Sequence, residues 1–153
     1  MLQERLVFVM HYSMESSKKG VLATMDYNAE ILHDSNDGSQ LTIYDTMKFY
    51  YPWKAIIISI FSRIDTALLC FSKNDRNSFK IIEDNNIKES FAHKRKILVK
   101  TKIVLKGKDV FPTAEVLKFA EENGYKYFEV SSKTGEGINE LKEYLLKPKD
   151  YQI

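Results

Sequence analysis

Short apolar runs alternate along the chain with segments whose apolar positions recur every three to four residues. Leu6-Val7-Phe8-Val9-Met10 is a compact apolar run and predicts a buried strand. Ala29 to His33 and Leu41 to Tyr44 flank Asn36-Asp37-Gly38, a turn signal that predicts a hairpin. Thr66 to Phe71, Ile97-Leu98-Val99 and Tyr125 to Val130 are further strand candidates, each followed by polar residues. Helical spacing fills the gaps. Ser78 is expected to cap a helix reaching about Phe91 on a thin apolar face of Phe79 and Ile82. Pro112-Thr113 opens a second helix with Val116, Phe119 and Ala120 on one side, closed by Asn123-Gly124. Ile138, Leu141 and Leu145 line the inner side of a last helix entered after Gly135-Glu136-Gly137. Trp53, Ile57, Ile60 and Ile64 have the spacing of another.

A strand, a hairpin, then alternating strands and helices predict an α/β fold. The expected form is a three-layer sandwich around a mostly parallel sheet with one antiparallel edge strand. Ligands of such sheets sit outside the carboxyl ends of the strands, which directs attention to the residues after Val9, Tyr44, Phe71, Val99 and Val130. The 153 residues suit one domain with one core. A formal charge of +2 is too balanced for a nucleic-acid binder. The single Cys70 excludes an internal disulfide and reads as a small core residue in a cytoplasmic protein. Three scattered histidines give no metal-ligand spacing. The longest apolar stretch, Ala55 to Phe61, is too short to span a bilayer, and neither end carries a leader or lipidation signal. No intrinsic lipid anchor is therefore expected, and contact with a membrane would run through a partner.

Several motifs resemble those of the Ras/Rab small-GTPase family. Thr101-Lys102-Ile103-Val104 is similar to the family's Asn/Thr-Lys-x-Asp segment, and Phe119-Ala120-Glu121-Glu122-Asn123-Gly124 to its fourth helix. Glu129-Val130-Ser131-Ser132-Lys133-Thr134-Gly135-Glu136-Gly137-Ile138 resembles its Ser-Ala-Lys loop. Leu41-Thr42-Ile43-Tyr44-Asp45-Thr46 resembles the strand leading into Asp-x-x-Gly, and Asp75-Arg76-Asn77-Ser78-Phe79 the approach to the third helix. The resemblance covers nearly the whole chain, dense after Asp65 and sparse before Leu41. It implies a P-loop small-GTPase-like fold over residues 1–153, and it nominates Ser17, Asp45, Thr101, Lys102, Ser131, Ser132 and Lys133 as nucleotide-binding positions. Of these, Ser17 and Asp45 would serve Mg²⁺.

The departures from the family pattern are as informative as the matches. The family cradles phosphate with a glycine-rich loop, a lysine and a Mg²⁺-binding Ser/Thr. Aligned on Ser17, Met10 and Glu15 stand where the family has glycines, and Ser16 where it has lysine. Met and Glu do not take the backbone angles that glycine allows there, and a carboxylate repels phosphate. Met47-Lys48 lack the glycine that senses the γ-phosphate, and Phe49 replaces the water-orienting glutamine, so no catalytic residue is assigned. The interval from Ser17 to Asp45 is too short for a full helix, switch loop and hairpin, so the first-helix and first-switch region, about 18–30, reads as shortened. Val104 takes the place of the Asp that accepts hydrogen bonds from guanine. A shifted frame at Lys106-Gly107-Lys108-Asp109 breaks the spacing to Phe119-Ala120.

Each candidate also has a plainer reading. Thr101-Lys102 suits an ordinary strand-end loop, Ser131-Ser132-Lys133 a strand-to-helix turn, and Asp45 a bond to local backbone. Lys94-Arg95-Lys96 reads as a solvated loop. Phe49-Tyr50-Tyr51-Pro52-Trp53-Lys54-Ala55-Ile56-Ile57-Ile58-Ser59-Ile60-Phe61 lies where the family has its mobile second switch. It is too rich in aromatics and isoleucine for one helical face to bury. It either packs over the shortened region or forms a contact surface through Phe49, Tyr50, Tyr51, Trp53, Ile57 and Ile60. The expectation is a degenerate small GTPase acting as a protein-interaction module in vesicle traffic or signalling, with no cofactor and no hydrolysis. The alternative is a working GTP-binding protein with atypical motifs, holding GTP or GDP with Mg²⁺.

Overall fold

A computed structural model describes residues 4–12, 28–33, 38, 40–47, 63–83, 94–104, 106 and 109–147, with backbone alone for 4–12, 28–30, 32–33 and 45–47. Six strands form one sheet: β1 (Glu4–Tyr12), β2 (Asn28–His33), β3 (Gln40–Met47), β4 (Thr66–Ser72), β5 (Arg95–Thr101) and β6 (Tyr125–Glu129). Their spatial order is β2-β3-β1-β4-β5-β6. Only β2 runs antiparallel to its neighbour, so the sheet is mostly parallel with one antiparallel edge, as the pattern predicts. The hairpin pairs His33 with Gln40, and Gly38 in its loop takes a φ of 70° that disfavours other residues.

The helices are α1 (Arg76–Glu83), α2 (Thr113–Glu122) and α3 (Ile138–Leu146). Both faces of the central strands are covered, which is why β4 reads as a continuous apolar run and is buried throughout. Ala67, Leu69, Phe71 and Leu98 face Phe79, Ile82, Val116 and Ala120 of α1 and α2. Leu68, Cys70, Ile97 and Val99 face Leu141 and Leu145 of α3. The result is three layers. Phe71, Phe79 and Phe111 form an aromatic cluster with ring centroids 4.9–5.7 Å apart, in the tilted and edge-on arrangements that aromatic quadrupoles favour.

Several local expectations are corrected. Ser78 lies inside α1; the cap is Asp75, whose Oδ1 accepts the Asn77 and Ser78 amides at 3.0 and 3.3 Å. The Ser78 hydroxyl instead donates to the Asp75 carbonyl and accepts the Ser72 amide, tying α1 to the end of β4. The stretch from 84 to Phe91 lies outside the described residues. Ile138, expected on the inner side of α3, is exposed. Ile64 is buried in the core, while Trp53, Ile57 and Ile60 are outside the described residues.

The largest correction concerns Lys94-Arg95-Lys96. Arg95 opens β5 and is buried. Its guanidinium donates to Thr66 Oγ1 and to the carbonyls of Tyr144, Leu145 and Lys147 at the end of α3. Alternation along the strand sends Lys96 to the other face, where its ammonium donates to the Asn123 carbonyl at the end of α2. Two adjacent cations thus meet the negative ends of two helices on opposite sides of the sheet.

Candidate functional site

All parallel strands present their carboxyl ends on one side, and the candidate residues gather there by topology. Thr101 ends β5; its hydroxyl donates to the Phe71 carbonyl at 3.0 Å, across to β4. Lys102 follows with a φ of 61°, the left-handed region in which a non-glycine residue carries strain. Lys73, just past β4, fixes this bend. Its amide donates to the Thr101 carbonyl at 3.1 Å and its ammonium to the Ile103 carbonyl at 3.2 Å. Val104 is exposed.

On the neighbouring strand, the Val130 amide donates to the Lys100 carbonyl at 2.8 Å and sets the level of the Ser131–Gly137 turn. Ser131 is buried, and its hydroxyl accepts the Thr134 amide while its carbonyl accepts that of Gly135. Its groups are therefore used in shaping the turn, whereas Ser132 and Lys133 are exposed on it. Gly137 enters α3 at a φ of 72°, and a Cβ there would lie 2.0 Å from the Glu129 carbonyl oxygen. The turn is closed by a backbone approach that no side chain permits.

Thr101, Lys102 and Ser131–Lys133 are thus brought to one edge of the sheet, on adjacent strands. Asp45 lies inside β3, opposite Val9 of β1 and Asn28 of β2, so that strand runs three residues beyond Tyr44. Ser17 lies outside the described residues, as do Phe49, Tyr50, Tyr51, Trp53, Ile57 and Ile60. Of the region 18–30, residues 28–30 belong to β2 and the rest lie outside the described residues. Strand β1 extends past Val9: Met10 and His11 are paired with both β3 and β4, and Tyr12 with Phe71 of β4.

Sequence reasoning missed a cluster beneath this edge. Lys100 is buried, with its ammonium 2.5 Å from Asp109 and 3.7 Å from Glu129. Glu129 also accepts the Tyr127 hydroxyl at 2.6 Å, and the other Asp109 oxygen accepts the Phe111 amide. Partial burial pushes the Asp109 carboxyl up, but the bonds from Lys100 and Phe111 and the charges of Lys100 and Lys73 outweigh it, leaving it below its ordinary value. Burial and the Glu129 carboxylate together hold the Tyr127 hydroxyl well above the usual range. The available signal was a lysine at an inward position of an apolar strand, with an aspartate a short loop away. Among the described residues, no group of His, Cys, Asp and Glu is arranged to hold a metal. Nor is any described helix long and apolar enough to cross a membrane.

A mostly parallel α/β sandwich with its loops at the carboxyl edge is the architecture of P-loop, small-GTPase-like domains. The sequence matches the Ras family over residues 6–148, and the chain belongs to that family. No curated protein matches it.

Proposed function

We propose that this chain is a degenerate member of the Ras family that binds guanine nucleotide weakly or not at all, does not hydrolyse GTP, and acts as a protein-interaction module. The observation that carries this reading is the length of β1. A phosphate cradle needs successive amides turned toward one anion. Met10, His11 and Tyr12 fall where the family's loop begins, yet they are extended and paired in the sheet. Two further features agree. Val104 offers no acceptor for guanine at the position suggested by the family's motif. Asp109, the acid of the shifted frame, is engaged by Lys100 and the Phe111 amide. Together these features support the reading that a guanine nucleotide is not held in the family's manner.

Without a γ-phosphate to bias two loops, the order–disorder switch of such proteins has no driving force. What remains is a single folded domain that offers a surface. The Phe49–Phe61 stretch is the proposed contact region, and vesicle traffic or signalling, in the cytoplasm or at a membrane through a partner, is the proposed setting.

Thermal melting with millimolar GTP, GDP or ATP and Mg²⁺ tests the nucleotide part. No shift is expected. A ligand at a hundredfold over its Kd would add about 2.7 kcal/mol, and such a gain with GTP or GDP would refute the reading.

A further inference from the structure

In a nucleotide switch, contacts to the ligand select one conformation of the loops around it. The segment after β5 has a source of order of its own. Lys100 lies on the α1/α2 face of the sheet, its side chain 2% exposed, between Asp109 and Glu129. A buried ammonium is tolerated only when paired, and of its two carboxylate neighbours Asp109 is the one hydrogen-bonded to it, so its burial in this geometry draws Asp109 into place. Asp109 in turn holds the Phe111 amide at 3.2 Å, and the Phe111 ring is buried against Phe71 and Phe79. On the opposite side, Lys73 holds Thr101 and Ile103 where the segment leaves the sheet. Its carbonyl accepts the Val110 amide at 3.2 Å where the segment returns. The excursion carrying Lys102 and Val104 is therefore closed at both ends of its base by protein groups.

We propose that Lys100 and Asp109 form an internal latch that fixes the Lys102–Val104 segment without any nucleotide, so that this edge of the domain presents an unchanging surface. That a protein partner reads this surface rests on the function proposed above; the latch itself does not.

Amide hydrogen exchange on the full chain tests it. In the wild type, the Lys73, Val110 and Phe111 amides should be protected without nucleotide, and millimolar GDP or GTP with Mg²⁺ should leave them unchanged. Asp109→Asn should accelerate exchange at Val110 and Phe111 roughly tenfold or more, while Leu69 and Leu98 in the central strands keep their protection. Should that variant fail to fold, Lys100→Met decides, since it removes the buried charge and leaves Asp109 in contact with water. The same local acceleration is expected. Wild-type protection retained in a folded variant would overturn the latch. So would a wild-type segment that becomes protected only when nucleotide is added. A melting shift with nucleotide and unchanged protection would refute the loss of binding while upholding the latch.

Discussion

Arg95→Lys keeps the charge at the start of β5 and should nevertheless destabilise the protein markedly. The guanidinium spreads its donors over four acceptors: Thr66 Oγ1 at 2.9 Å, and the carbonyls of Leu145, Lys147 and Tyr144 at 3.1, 3.1 and 3.4 Å. It also lies over the Tyr144 ring, 5.2 Å from its centroid. An ammonium is a point donor on a differently shaped stem and cannot span this set. Losing two charge-assisted bonds would cost about 3–6 kcal/mol if nothing replaced them. Water reaches the partly buried Tyr144 and Lys147 carbonyls and recovers part of that, leaving a loss of about 2–3 kcal/mol. For a domain of this size the melting temperature should fall by roughly 5–10 °C. Urea unfolding followed by far-UV circular dichroism gives the free energy directly. Lys94→Ala, one residue outside the strand, is the control and should stay within about 0.5 kcal/mol of wild type. A loss for Arg95→Lys no larger than that of the control would mean that the guanidinium is solvated and that α3 is held by its apolar face alone.

Gly137→Ala and Gly135→Ala form a matched pair, since both positions have positive φ but only Gly137 faces a backbone oxygen at 2.0 Å from a built Cβ. Gly135→Ala should cost about 1–2 kcal/mol in urea unfolding, and Gly137→Ala distinctly more, at least about 3 kcal/mol or outright loss of folding; equal losses would refute the close approach. The Tyr125 hydroxyl is buried with no partner among the described residues, so Tyr125→Phe should be neutral or stabilising by up to about 1 kcal/mol. Burial pushes this hydroxyl up to about 12, so the unfolded chain loses its proton first. The stability of the fold is therefore independent of this proton below about pH 10 and declines between about 10 and 12; the Phe variant should lose stability less steeply with alkali over that window. A Tyr125→Phe protein less stable than wild type at pH 7 would show that the hydroxyl is bonded.

The fold was legible wherever burial on both faces forces a continuous apolar run, as in Thr66 to Phe71 and Ile97-Leu98-Val99. The hairpin was legible because Asn36-Asp37-Gly38 places a glycine where φ is positive. Charged residues misled for one reason. In Lys94-Arg95-Lys96 a run of like charges resembles a solvated loop, and nothing in one dimension shows that consecutive strand residues face opposite layers. Nor does it show that a helix ends within reach of each. Lys100 is hidden on the same ground, its partner being a loop residue fixed by tertiary structure. Ser78 reads as a cap because serine commonly is one; Asp75, three residues earlier, starts the helix one turn sooner by accepting the Asn77 and Ser78 amides, and the Ser78 hydroxyl is left to accept the Ser72 amide of β4. The strand-end positions of the candidate site follow from topology and were legible. The extension of β1 past Met10 through His11-Tyr12 was not, because those two residues fall outside the apolar run and are held by pairing with β4, and for His11 also with β3.

Strand β5 gives these details a common cause. It carries buried or half-buried cations at both ends, and each one fastens a different part of the chain: Arg95 the end of α3, Lys96 the end of α2, Lys100 the Asp109 loop. Buried charge stabilises only when its partners are in place, and breaking one pair leaves the other member stranded at several times the cost of losing an exposed ion pair. Helix ends and loop are thereby made interdependent through one strand. On the latch proposed above, the Lys100–Asp109 contact would fasten the base of the segment after β5 from below, just as Arg95 and Lys96 fasten the ends of α3 and α2 at the other end of the strand.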